Sequence, residues 1–310
     1  MIEVRQLTKC YGDRVALVGL DLDAEPGDVL GLIGPNGAGK TTTMRILATL
    51  EQPDSGSARV AGYDVSENVV EVRARLGFMP ELFGLYDELS VEGHLDFFAR
   101  LYNVTRSERR RRVADLLSLC DLSAKAKESC GALSKGVRQR LYLARTLLAD
   151  PPVLLLDEPA SGLDPRARIE LRELIRTLAE SGKAILISSH ILSELATVCS
   201  KVAIIENGSL RFHGRTEDLY VQERDRQITV ELVDPTNLTV LNDLLATRGR
   251  VSAIEALPSQ KLGFRFAGDA AQAAALLAAL VSEGLEPCSF EFERADLESL
   301  FLDVTEGLVT

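Results

Sequence analysis

Cysteine is scarce in the 310-residue sequence, and the few present do not pair. Cys10, Cys120, Cys130, Cys199 and Cys288 are odd in number, widely spaced and form no CxxC pair, which argues against a disulfide framework or zinc site and predicts reduced, buried thiols. Long hydrophobic runs are missing too. The most apolar stretches, such as Val153 to Leu156 and Ala273 to Val281, fall well short of the roughly 18 to 20 residues a bilayer span needs, so the chain is not expected to be a membrane channel. The opening MIEVRQLTKC is broken by Glu3, Arg5 and Lys9 and has no cleavage site, which predicts a protein that stays in the cytosol. Positive charge is in deficit. A net charge of -11 repels a phosphate backbone and argues against a nucleic-acid partner. The one basic run, Arg109 to Arg112, follows Ser107 and Glu108 at a predicted helix start and reads as a solvated helix face.

What remains is globular. With 46% hydrophobic and 26% charged residues and a mean hydropathy of +0.06, the chain has material for real cores, and its length suits two domains. In residues 221–310 fifteen acidic side chains face seven basic ones, whereas the preceding part is nearly balanced. The charged stretch QERDRQ (Gln222 to Gln227) lacks core residues and reads as a linker, so domains 1–222 and 223–310 are expected.

In the first domain, short apolar runs alternate with helical patterns, the mark of an α/β fold with a mostly parallel sheet. VLGLIG (Val29 to Gly34) runs into a stretch where Met44, Ile46, Leu47 and Leu50 recur at helical spacing. Between them Gly34-Pro35-Asn36-Gly37-Ala38-Gly39-Lys40-Thr41 fits GxxxxGK[ST]. The glycines let successive N–H groups curl around a phosphate, and the helix N-terminus adds its positive dipole end. Lys40 is placed to neutralise the outer phosphates and Thr41 to offer its hydroxyl to magnesium.

The run Val153 to Leu156 ends in Asp157, Glu158 and Pro159. Ligands of parallel sheets bind beyond the carboxyl ends of strands, so these acids are expected to face the phosphates. Asp157 is the candidate magnesium partner, and Glu158 the candidate base that orients or deprotonates an attacking water. His190 ends AILISSH at the same sheet edge, where it is either a donor to the terminal phosphate or a structural histidine.

These elements, in this order with Leu133-Ser134-Lys135-Gly136-Val137 ahead of the Asp157 strand, closely resemble the ATP-binding cassette ATPases. The resemblance covers residues 1 to about 220 and implies a P-loop cassette with a mixed sheet and a helical subdomain at about 82–150. It implies that Tyr11 stacks on adenine, with Thr42 joining residues 34–41 in the nucleotide site, although a tyrosine buried near a turn is the alternative. It further implies that the signature Leu133 to Val137 of one copy contacts the ATP of another, giving a head-to-tail homodimer or a pair with a closely related cassette. Ser161 and Asp164 of SGLD resemble the loop that links the two sites. Three positions, Glu81, Lys135 and Val137, depart from the family. Glu81 stands for the usual glutamine, as a possible ligand of magnesium or water, and LSKGV replaces LSGGQ. Glu81 and Lys135 either offset each other across a dimer or act independently.

The last ninety residues read β-α-β-β-α-β, the pattern of a small α+β ferredoxin-like domain, followed by a short helix around ADLESLFLDV. A similar tail occurs on drug-exporter ATPases of the daunorubicin-resistance group. The resemblance implies an ATP-hydrolysing subunit that drives a separate membrane permease from the inner face of the cell membrane, using ATP and Mg2+. A non-transport cassette ATPase of translation or DNA repair is one alternative, though only 94 positions separate Lys40 from Ser134, too few for the coiled coil of the repair proteins. A cytosolic module that sequesters a ligand is the other.

Overall fold

The computed structural model describes residues 1–82, 84–190, 195, 197–216, 218 and 226–293, and the chain divides into a unit Met1–Arg215 and a second unit that begins at Thr216. In chain order the first unit begins with β1 (Ile2–Tyr11), β2 (Arg14–Ala24), β3 (Val29–Ile33), α1 (Lys40–Leu47), β4 (Ser55–Val60), β5 (Tyr63–Asp64), α2 (Val69–Arg73) and β6 (Leu76–Met79). It continues through α3 (Val91–Leu101), α4 (Arg106–Leu119), α5 (Lys135–Thr146), β7 (Val153–Leu156), α6 (Pro165–Glu180), β8 (Ala184–Ser189), β9 (Lys201–Glu206) and β10 (Ser209–Arg215).

A six-stranded sheet, ordered β10-β9-β3-β8-β7-β6, carries the core. Every residue of β3, β7 and β8 is buried, which is why these strands are unbroken apolar runs rather than alternating ones. All pairings are parallel except that of β10 with β9. Register then fixes where the chemistry falls. Ile33 lies opposite Ser189, and Leu156 lies opposite both Ile187 and Met79, so four strands end along one edge and deliver Gly34, Glu81, Asp157 and His190 just beyond it. A second, antiparallel sheet, β2-β1-β4-β5, does not follow from the alternation of apolar runs and helices.

Helix α1 stops at Leu47, earlier than the apolar spacing suggests. Thr49 takes φ 60, and Leu50 is 53% exposed instead of continuing the buried face. The expected helices between Glu81 and Leu133 are α3 and α4. Ser90 caps α3 by accepting the Gly93 N–H at 3.0 Å, and the Arg109–Asp96 ion pair ties α4 to it. His94 and Phe98 pack within this helical part at 4.9 Å between ring centroids. Three cysteines are buried as expected, but Cys10 is half-buried and Cys288 exposed.

The second unit contains β11 (Arg226–Leu232), α7 (Leu238–Ala246), β12 (Val251–Leu257), β13 (Lys261–Phe266), α8 (Ala270–Ser282) and β14 (Pro287–Glu293). Its antiparallel sheet is ordered β12-β13-β11-β14, the ferredoxin-like arrangement, over a core that includes Ile228, Val230, Leu241, Phe264 and Leu280. Asp269 and Gln272 form a reciprocal capping box on α8. Arg226 and Gln227, read as linker from their charge, instead open β11. Residues 222–225 and the helix expected around 295–304 lie outside the described residues.

Candidate active site

The loop between β3 and α1 is shaped by what its glycines must avoid. A Cβ on Gly34 would lie 2.2 Å from the Ile205 carbonyl oxygen, and one on Gly39, at φ 110, would lie 2.7 Å from that of Ala16. Both obstacles are backbone, so neither position has room for a side chain. Lys40 opens α1 and is buried. Its Nζ donates to the Gly34 and Pro35 carbonyls at 2.7 and 3.3 Å and lies 3.7 Å from Glu158 Oε1. Burial pushes the Lys40 pKa down, while the charges of Glu158, Asp157 and Glu81 oppose that shift.

Asp157 is 1% exposed and accepts the Ser188 hydroxyl at 2.6 Å. The same hydroxyl oxygen accepts the Glu158 N–H at 2.9 Å, so Ser188 joins the two acids across neighbouring strands. Glu158 sits at φ 47, a left-handed conformation that a non-glycine residue holds only where its surroundings enforce it. Its carboxylate is divided between two partners, with Oε1 toward Lys40 and Oε2 2.9 Å from His190 Nδ1.

A cleft of about 380 Å³ collects Lys40, Glu158 and His190 with Tyr11, Asn36, Gly37, Ala38, Thr41, Thr42 and Glu81. Tyr11 is 45% exposed rather than buried, and its hydroxyl donates to Glu51. Partial burial and the Glu51 contact push the Tyr11 pKa up. Gly34 and Pro35 form the base of the loop through their carbonyls, and Asp157 lies under the cleft rather than in its wall.

The signature stands apart from this cleft. Ser134 precedes α5 in extended conformation and makes no side-chain cap bond, Lys135 opens the helix, and Leu133 and Val137 are buried. Gly136 faces Leu163 and Ala167, while Lys135 Nζ occupies space 2.2 Å from where a Gly162 Cβ would stand. Gln139 brings its amide within 3.5 Å of the Ser161 carbonyl, and Asp164 caps α6 by accepting the Ala167 N–H at 2.9 Å. In one chain, therefore, Leu133 to Val137 and Ser161 to Asp164 are adjacent to each other, and Lys135 and Glu81 are not brought into the same cleft.

Two residues absent from the sequence reading belong to the site. Ser188 joins Asp157 to Glu158, and the serine pair that ends the otherwise apolar AILISS was the available signal. Arg14 lines the cleft from β2, with Nη2 3.0 Å from where a Gly37 Cβ would stand. No local motif marks it.

Residues 17–161 match the family described as ABC transporter. Over 306 residues the chain is 36% identical to a Nod factor export ATP-binding protein I of Cupriavidus pinatubonensis, covering 98% of this chain and 90% of that protein. It is 34% identical over 305 residues to the daunorubicin resistance ATP-binding protein DrrA3 of Streptomyces coeruleorubidus, covering 98% and 95%. A solved ATP-binding subunit of an ABC transporter superposes with a TM-score of 0.65 at 32% identity, covering 72% of this chain and 92% of that one. The chain belongs to the ABC transporter family as an ATP-binding cassette ATPase. Among its described residues, no helix is long and apolar enough to cross a membrane.

Proposed function

We propose that the chain is the energy-coupling subunit of an exporter, hydrolysing ATP to ADP and phosphate to drive a separate integral-membrane permease. The observation that carries this reading is the convergence of Lys40, Glu158 and His190 on one cleft at the carboxyl edge of the sheet. The loop at residues 34–42 cradles the phosphates by the N–H groups that follow Pro35, and Lys40 neutralises charge on the outer ones. Tyr11 offers a partly exposed ring to the base. Glu158 Oε1 and Oε2 are both positioned by cations or donors, which leaves the carboxylate oriented to accept a proton from water as it attacks the terminal phosphorus. His190 donates to that phosphate or holds Glu158.

Thr41 and Glu81 line the cleft and, with Asp157 beneath it, offer oxygen donors of the kind that would hold magnesium. When bound, the ion would neutralise charge on the phosphate oxygens.

Lys135 of the signature lies against Gly162 of the Ser161–Asp164 loop outside the cleft, which supports the use of both segments on the ATP of a second copy or a closely related cassette. Residues 1–222 then form the cassette, and 223–310 a regulatory or assembly domain. Exposed Leu82, Tyr86 and Phe97 support the helical part, about 82–150, as the permease face on the cytoplasmic side of the membrane. Export is supported by relatives named for Nod factor export and daunorubicin resistance. Affinity purification from native membranes in mild detergent tests the transporter assignment. A multispanning partner should co-purify, and recovery of the chain only from the soluble fraction, without one, would contradict it.

A further inference from the structure

The basic run at the start of α4 is not a uniform solvated face. Arg109 turns inward to Asp96, and Arg112 to Glu108 and the Leu148 carbonyl. Arg106, Arg110 and Arg111 are exposed, and among the described residues their guanidinium groups have no hydrogen-bond or ion-pair partner. Arg106 and Arg110 are four residues apart, so they share one helix face. That face forms one wall of a groove of about 460 Å³, and Arg100 of α3 stands on the other. The acids in the groove are already engaged. Asp96 accepts from both Arg100 and Arg109, whose charges help hold its carboxyl below the usual range, and Glu92 is paired with Lys127. The groove therefore carries surplus positive charge in a chain whose net charge is -11.

The same end of the α3–α4 hairpin displays apolar surface. Leu101 and Tyr102, which lead out of α3 toward Arg106, are 61% and 50% exposed. Phe97, one turn earlier on α3, extends this surface back toward the exposed Tyr86. Unpaired arginines beside an exposed leucine and tyrosine are the combination that settles at a bilayer interface, with cations on lipid phosphates and the aromatic group at headgroup depth.

We propose that this end of the hairpin rests on anionic phospholipid, with lipid phosphate held among Arg100, Arg106 and Arg110 and with Leu101 and Tyr102 in the headgroup layer. Charge complementarity calls for an anionic occupant, and the exposed Leu101 and Tyr102 beside the arginines favour a bilayer interface over an acidic protein segment. Arg111, exposed next to Arg110, adds a further cation beyond the groove lined by Arg100, Arg106 and Arg110, so the positive charge extends over the hairpin end where lipid headgroups can meet it. The N-terminal end of α4 adds its positive dipole to the same place. Acids elsewhere on the molecule are screened beyond about 8 Å at physiological salt, which lets the local patch act despite the overall negative charge.

Flotation of the full chain with vesicles tests the proposal independently of catalysis, because the readout is lipid binding and not ATP turnover. The chain should float with an equal mixture of phosphatidylglycerol and phosphatidylcholine, stay behind with phosphatidylcholine alone, and lose binding as salt is raised. Each arginine near an anionic surface contributes about 1 kcal/mol, so R106Q/R110Q should lower the partition coefficient about 25-fold. R106K/R110K, which keeps both charges, should retain most of the binding. ATP binding by both variants confirms that the cassette remains folded. Equal binding to neutral and anionic vesicles, an R106Q/R110Q variant that floats like the parent, release by millimolar inorganic phosphate, or attachment only when a membrane protein is reconstituted in the vesicles would each overturn it.

Discussion

His190 Nδ1 stands 2.9 Å from Glu158 Oε2, and this contact joins the ends of two strands that are neighbours in the sheet but about thirty residues apart in sequence. It matters because Glu158 also faces Lys40 through its other oxygen. The carboxylate is thus held from two sides at the point where the cleft opens. An acid held this way can accept a proton without first choosing a rotamer, which is the preorganisation that water activation requires.

Ser188 supports the arrangement from below. Ser188→Ala removes the oxygen that accepts the Glu158 N–H and the hydroxyl that donates to Asp157. Leaving buried polar groups unpaired should cost about 1 to 3 kcal/mol of stability. Turnover should fall more than ATP affinity, since the loop at residues 34–41 is untouched. Thermal melts and steady-state kinetics check both. A variant with the parent's melting temperature and kcat would show that the bridge positions nothing.

The proposed stacking of Tyr11 on adenine separates base recognition from phosphate recognition. Tyr11→Ala should weaken ATP binding by about 1 to 3 kcal/mol, the range of base-on-aromatic stacking, and Tyr11→Phe should cost little because the hydroxyl is occupied by Glu51. Binding of inorganic triphosphate should be the same in all three proteins. Calorimetry with both ligands decides the matter, and equal loss for ATP and triphosphate would remove Tyr11 from the base site.

His94 gives the fold a pH signature. It is fully buried beside Phe98, neither ring nitrogen has a partner among the described residues, and burial together with the Arg145 charge pushes its pKa down to about 4. In the unfolded chain the group returns toward its ordinary 6.5. Between these values the unfolded state binds more protons, so His94 stabilises the fold above about pH 6.5 and that contribution is lost as pH falls toward 4. His94→Leu should therefore flatten the dependence of melting temperature on pH across this window. An unchanged slope would place the acid sensitivity elsewhere.

How much of this was legible beforehand varied with the physics. Val29–Ile33, Val153–Leu156 and Ala184–Ser189 announce themselves because both faces of these strands are covered, so every residue is apolar or small. The glycine loop and its lysine were legible because backbone crowding at Gly34 and Gly39 leaves no alternative residue type. Arg14 was not, because its place in the cleft depends on β2 of the antiparallel sheet passing the loop, a contact between segments with no shared local pattern. The adjacency of Lys135 to Gly162 was hidden for the same reason. Net charge described the molecule as a whole and missed the arginines left unpaired on α4.

Glu158 is proposed to activate water in a site that ATP closes between two copies. Sedimentation of Glu158→Gln with ATP and magnesium, read beside phosphate release, tests it most directly. The phosphate loop and Lys40 are unchanged in this variant, so it should bind ATP, sediment as a dimer and release no phosphate. A monomer that hydrolyses ATP at the parent's rate would contradict the account.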